Sequence, residues 1–138
     1  MPNNGQLFSL FCAQQDVREF HKKFGAKVQD YPGLIPGDLA SARDRFHREE
    51  VDELDVAMIE ENLADIADAI GDAIYFLLGT AVCYGIDMEP VWQEIHKKNM
   101  EKVGGGKRAD GKHLKPEGWT PPDIKSIIDK QIAEGKKK

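Results

Sequence analysis

The stretch Asn62-Leu63-Ala64-Asp65-Ile66-Ala67-Asp68-Ala69-Ile70-Gly71-Asp72-Ala73-Ile74-Tyr75-Phe76-Leu77-Leu78-Gly79-Thr80-Ala81-Val82-Cys83-Tyr84-Gly85 decides the fold. Asn62 can accept the free amides of a first helical turn, and Gly85 supplies a stop, so one helix is expected from Asn62 to about Tyr84. With Asp65 placed at zero and 100° added per residue, Asp68 and Asp72 fall within about 60° of Asp65. Ile66, Ile70, Ile74, Leu77 and Leu78 spread around the other sides. A helix that is apolar nearly all round is a buried one. A domain with four principal helices can hardly surround one of its own helices completely. A homo-oligomer, dimer or tetramer, is therefore expected.

Outward from this segment the chain reads as more helix. Upstream, Asp38 or Ser41 starts a helix that runs to about Glu60. Before it, Tyr31-Pro32-Gly33 and Ile35-Pro36-Gly37 are turn signals. A first helix runs from about Leu7 to Phe24, with Phe8, Phe11, Val17, Phe20 and Phe24 as its apolar points and Gly25 as its C-cap. Downstream, Asp87 caps a fourth helix that tolerates Pro90 in its first turn and continues to about Val103. Gly104-Gly105-Gly106 ends it, a basic segment with Gly and Pro follows to Pro122, and a short helix from about Asp123 to Ala133 closes the chain. No alternating strand and no repeat is visible. The expected fold is all-α: a single-domain four-helix bundle over residues 1–138 with a C-terminal loop and short helix.

Size and charge narrow the function. A chain of 138 residues matches one domain with a real core. The formal net charge of -5 argues against a nucleic-acid backbone as partner. The apolar run from Ala73 to Tyr84 is too short for a bilayer, so no membrane partner is expected. Cys12 and Cys83 form no CxxC pair and read as small core residues in a reducing compartment. Met1-Pro2-Asn3-Asn4-Gly5 lacks the basic start of a signal peptide, so the expectation is a cytoplasmic protein.

The acids carry the chemistry. On the second helix, with Phe46 at zero, Leu39, Ala42 and Ala57 define the inward stripe. Glu49, Glu50 and Glu53 lie within about 60° of its centre. Asp52, Asp55 and Arg48 point to solvent. Carboxylates on the inward faces of two neighbouring helices, Glu49, Glu50 and Glu53 against Asp65, Asp68 and Asp72, raise each other's pKa and repel unless cations bind between them. Oxygen-only ligation favours Mg²⁺, with Mn²⁺ as a substitute, over iron or zinc. No Glu-x-x-His pair of the di-iron type is present; the nearest, Asp44-x-x-His47, has its Asp directed outward. The four histidines lack ligand spacing, and Trp92 and Trp119 read as core or lid packing. Gly104-Gly105-Gly106-Lys107 lacks the spacing and the Ser or Thr of a phosphate loop.

These residues resemble a known family, the all-α nucleotide pyrophosphohydrolases, which includes MazG-like proteins, phosphoribosyl-ATP pyrophosphohydrolase and dimeric dUTPases. Its signature is Glu-Glu-x-x-Glu on one helix and Glu-x-x-Asp on the next. Glu49-Glu50-Val51-Asp52-Glu53 is similar to the first half, and Asp72-Ala73-Ile74-Tyr75 to the end of the second. The second-half Glu would fall on Ala69; Asp68, an i,i+4 neighbour of Asp72, stands in. Asp16-Val17-Arg18-Glu19-Phe20-His21, Arg43-x-Arg45-Phe46, Asn99-Met100-x-Lys102, Asp110-Gly111-Lys112 and Lys115-Pro116 also resemble MazG-like proteins, so most of the chain is covered.

The resemblance implies hydrolysis of a nucleoside triphosphate between its α and β phosphates, giving monophosphate and pyrophosphate. It implies Glu50, Glu53 and Asp72 as metal ligands with Asp68 as the fourth, and Asp65 as a further ligand or a support. Glu49 is the candidate to orient or deprotonate the attacking water, with Glu50 as the other choice. Lys102 and Lys112 would face the phosphates, and Asn99 the base or sugar. Two other readings stand beside this one: a phosphoribosyl-ATP pyrophosphohydrolase, and a non-catalytic helical oligomer that binds nucleotides or a partner through the same acids.

Overall fold

A computed structural model describes residues 7–138; the Met1–Gly5 start lies outside them. Five helices follow one another: α1 (Leu10–Phe24), α2 (Gly37–Ile59), α3 (Leu63–Tyr84), α4 (Met88–Met100) and α5 (Ile124–Lys136). Local chemistry sets most of their ends. The side chains of Ser9, Asn62, Asp87 and Asp123 accept first-turn amides of α1, α3, α4 and α5, while Gly25 and Gly85 close α1 and α3 in the left-handed conformation. Other ends differ from expectation. α1 starts at Leu10, where Ser9 competes for the first amides; α2 starts at Gly37 with no side-chain cap from Asp38 or Ser41; α4 stops at Met100, three residues before the expected Val103; and α5 runs on to Lys136, past Ala133. Among the described residues the only β-type pairing is an isolated bridge between Lys107 and His113 in the C-terminal loop.

α3 is the central helix. It packs against α2 on one side and α1 on another, α1 also meets α4, and α4 meets α5. Val17, Leu78 and Val82 form the core, with Leu10, Ala13, Val28 and Met88 packed around them. The 26–36 connection is sewn onto the C-terminal end of α3. Gln29 donates from its backbone to the Val82 carbonyl and from its side chain to Cys83, and Gly33 donates to Tyr84. α5 docks through Gln131, whose amide pairs with both the N–H and the carbonyl of Asp87.

Burial departs from the apolar pattern in two places. The inward line of α1 is Gln14, Val17 and His21, while Phe11, Phe20 and Phe24 are exposed. The polar members are tolerated because they are bonded: Gln14 bridges the Ile86 carbonyl and the Met88 amide, and His21 Nδ1 meets the Lys27 carbonyl at 2.8 Å. α3 is not covered on every side. Ile70, Ile74 and Leu77 are 44%, 50% and 56% exposed, an apolar stripe at i, i+4 and i+7 that the described residues leave largely uncovered. α3 is long and apolar enough to cross a membrane by length and composition alone. Its packing between α1 and α2, and the three aspartates on one side, fit the central helix of a bundle instead.

Candidate metal centre

α2 and α3 run side by side, and the facing residues at their middle are carboxylates. One oxygen from each of Glu50, Glu53 and Asp72 lies within 4.8 Å of the others. Among the described residues no other group of three His, Cys, Asp or Glu side chains converges in this way. Glu50 is the innermost. Its Oε2 is buried and has no hydrogen-bond partner. Burial raises the Glu50 carboxyl above its ordinary 4.5, and the nearby charges of Glu53, Asp72 and Glu49 raise it further. An orphaned buried acceptor facing two more carboxylates is the donor set of a hard divalent cation, so the residues present fit Mg²⁺ or Mn²⁺.

The other acids are placed differently. Glu49 is exposed on α2 beside Glu50. Asp68 stands outside the converging trio, on the wall of an adjoining cleft of about 410 Å³. Glu53, Asp65 and Asp68 line that cleft, and so does Asp52, which helical phase had directed to solvent. Ala57 and Ala69, each 4% exposed, also line it. The cleft thus extends the acidic face beyond the trio to Asp52, Asp65 and Asp68. Asp44 pairs outward with Arg48 at 2.9 Å, as its helical phase requires.

The basic end is built around Trp119. Its indole N–H donates to the Lys98 carbonyl at 2.8 Å, and the ammonium groups of Lys102 and Lys115 each lie 5.2 Å from its ring centroid. Trp119 is thus half-buried packing against the end of α4, whereas Trp92 is exposed rather than packed. Lys98 is engaged with Glu101 and Thr120. Asn99 is exposed on α4, and Lys112 is exposed in the loop, where its amide donates to Asp110.

Sequence reasoning missed a buried polar network between α2 and α3. Arg43 is 7% exposed; its Nε donates to Thr80 Oγ1 at 3.0 Å and its Nη2 to the Phe76 carbonyl. Its guanidinium also lies over the rings of Phe46 and Phe76. Burial lowers its pKa without removing its charge. His47 Nε2 meets the same Thr80 hydroxyl at 2.6 Å. Gly79 makes the room, since a Cβ there would press on Arg43 Nη2 and His21 Nε2. The signal in the sequence was Arg43 at a position one turn from the inward Phe46. The network fixes the register of α2 against α3, and so the facing of Glu50 and Glu53 toward Asp72.

A metal-free protein carries a pH signature of this centre. Glu50 keeps its proton in the folded state to a higher pH than in the unfolded chain. The unfolded state then binds fewer protons, and stability falls as pH rises from 4.5 through the raised value. Asp30, Asp110 and Asp123, held down by Arg18, Arg108 and Ser126, act below their ordinary 3.8 and leave that window to Glu50. The Tm of chelator-treated protein is expected to decline across that window. Saturating Mg²⁺ is expected to flatten the decline, because the cation binds the deprotonated carboxyl and its contribution, about 2.7 kcal/mol at 100 times its Kd, grows as the proton leaves. Identical melting curves with and without Mg²⁺ would count against a cation site.

No curated protein matches the chain closely enough to be named as a relative. A family profile described as phosphoribosyl-ATP pyrophosphohydrolase matches residues 17–99, more than half of the chain. The matched span runs from the middle of α1 through the three converging carboxylates to Asn99. With that span, the all-helical fold and the acidic centre in agreement, the chain belongs to the phosphoribosyl-ATP pyrophosphohydrolase family of all-α nucleotide pyrophosphohydrolases.

Proposed function

We propose that the protein hydrolyses a ribo- or deoxyribonucleoside triphosphate at the α–β phosphate bond, releasing nucleoside monophosphate and pyrophosphate. The observation that carries this reading is the convergence of Glu50, Glu53 and Asp72 around an unpartnered buried oxygen of Glu50, in a chain of pyrophosphohydrolase family. Bound Mg²⁺, or Mn²⁺ in its place, polarises phosphate oxygens and makes a water more acidic. Glu50, Glu53 and Asp72 hold it. Glu49, exposed beside them, orients the attacking water and takes its proton. Lys102 and Lys112 offset the charge that develops on the departing pyrophosphate, and Asn99 hydrogen-bonds the nucleoside. Asp68 and Asp65, on the cleft wall, add negative potential around the centre.

The exposed Ile70, Ile74 and Leu77 stripe supports a homodimer or homotetramer, in which a second chain covers α3. The acidic surface charge and the absence of a disulfide framework support action in the cytoplasm on free nucleotides. A second substrate has its own support: the family profile is that of phosphoribosyl-ATP pyrophosphohydrolase. A panel of the common nucleoside and deoxynucleoside triphosphates together with phosphoribosyl-ATP, read by pyrophosphate release and product identification, decides. Turnover of triphosphates is the expected result. Turnover of phosphoribosyl-ATP alone replaces the substrate assignment, and no turnover of any member removes the catalytic reading.

A further inference from the structure

A second cavity lies at the other end of α3, away from the acidic centre. Its volume of about 530 Å³ falls within the range of small-molecule sites, about 300–1,000 Å³. α1, the 29–32 connection, the end of α3 and α5 supply its walls. Val82, on its floor, follows Asp72 by about 15 Å along the helix. Three glutamines brace these walls. Gln14 of α1 spans to the Ile86 carbonyl and the Met88 amide, Gln29 to the Cys83 carbonyl, and Gln131 of α5 to both backbone groups of Asp87. Bonded in this way they hold the walls apart rather than face a ligand. The charged groups are engaged as well. Arg18 donates to Asp30 and to the Gln29 carbonyl, Asp87 accepts the Glu89 amide, and Glu134 lies 4.0 Å from Lys130. What faces a ligand is the Phe11 ring, the ring and hydroxyl of Tyr31, the Gln15 amide and an apolar floor of Pro32, Val82 and Ile86. Phe11 and Tyr31 are 43% and 40% exposed, so both rings are accessible. α5 closes one side as a cover. None of its residues is buried, and beside Gln131 it is held by the close approach of Gly135 to Tyr31, where a Cβ would meet the tyrosine side chain.

We propose that this cavity is a second ligand site, for an uncharged planar heterocycle of about nucleoside size packed against Phe11 and Tyr31, with α5 as its cover. Two aromatic side chains and an apolar floor suit a flat ring, and the Tyr31 hydroxyl and Gln15 amide suit its hydrogen-bonding edge. A charge on the ligand is disfavoured, because it breaks an existing pair or lies uncompensated beside one. A phosphate here meets three carboxylates, Asp30, Asp87 and Glu134, against two cations, Arg18 and Lys138. The site is thus opposite in preference to a cation centre that takes phosphate, and it stands or falls without that centre.

The test is titration of the chelator-treated, ¹⁵N-labelled protein with adenosine, guanosine, cytidine and uridine, and with their 5′-monophosphates, followed by amide chemical shifts. At least one nucleoside is expected to saturate shifts at Tyr31, Gly85, Ile86 and Gly135 while the amides of Glu50, Glu53 and Asp72 stay unmoved. Its apparent Kd is expected to hold between low and high salt, as for an uncharged ligand. The matching 5′-monophosphate is expected to bind there about 10-fold more weakly. Tyr31→Ala and Phe11→Ala, each checked for folding by circular dichroism, are expected to weaken the nucleoside about 10-fold, a loss within the range of base stacking on an aromatic ring. Glu53→Gln is expected to bind it as the wild type does. No saturation by any nucleoside would overturn the proposal. So would shifts centred on the carboxylates, tighter binding of the monophosphate, or unchanged binding by both aromatic variants. Each of these results leaves the metal centre standing.

Discussion

The Glu53→Gln protein is expected to release pyrophosphate from nucleoside triphosphates more than about 100-fold more slowly than the wild type, beyond the loss typical of removing a residue that only supports a ligand. Glu53 is the residue common to the converging trio and to the adjoining cleft. Glutamine keeps its length and shape but exchanges an anionic oxygen for an amide, which is a poor partner for a hard cation. The fold gains nothing from Glu53's charge, because in the metal-free protein that charge acts on Glu50 as repulsion. The helical circular-dichroism signal is therefore expected to persist, and the metal-free Tm to stay level or rise. Mg²⁺ should lose its effect on that Tm. Pyrophosphate release at the wild-type rate by Glu53→Gln would take Glu53 out of the centre.

Gly85→Ala is expected to lower stability by roughly 2–5 kcal/mol, the sum of left-handed strain at a residue with a Cβ and of overpacking against a rigid neighbour. Gly85 ends α3 at φ 71°. A Cβ there would be driven into the backbone carbonyl of Tyr31, on the connection that Gln29 and Gly33 hold against the end of α3. Backbone cannot swing aside as a flexible side chain could. Either the connection lifts from α3 or the helix cap unwinds. Both loosen the cluster of Val17, Leu78 and Val82, whose α3 members lie within two turns of Gly85, while the carboxylate trio, further toward the N-terminus of α3, is left in place. Chemical denaturation with circular dichroism measures the loss. A change below about 0.5 kcal/mol, the size of an ordinary surface substitution, would contradict it.

Much of this architecture is legible in the residues themselves. The caps at Asn62, Asp87 and Asp123 and the stops at Gly25 and Gly85 need only local chemistry, so four of the five helices begin or end where the chain says they do. Helical phase alone puts Glu50 and Glu53 on the inward side of α2 and Asp72 on the acidic side of α3. The failures share a cause. Phe20 and Phe24 count as apolar in any pattern, yet they are exposed and Gln14 and His21 are buried, because nearby carbonyls and an amide satisfy the polar pair. An arginine ordinarily stays at the surface, and only the space over Gly79, the Thr80 hydroxyl and two aromatic faces make the burial of Arg43 tolerable.

The carboxylates show where the division falls. The sequence by itself determined that the chain is helical and that acids face one another across two of its helices, because a 3.6-residue period places side chains on a cylinder without reference to anything else. Which of those acids converge was decided by the tertiary structure. Asp68 and Asp72 share a face of α3, but only Asp72 reaches Glu50 and Glu53, since the separation and register of two helices are set by what packs between them. Here that is Arg43 over Gly79 at one level and Ala57 and Ala69, lining one cleft, at another. Side-chain distances of a few ångströms across a helix pair depend on those contacts, and no periodicity within a single helix contains them.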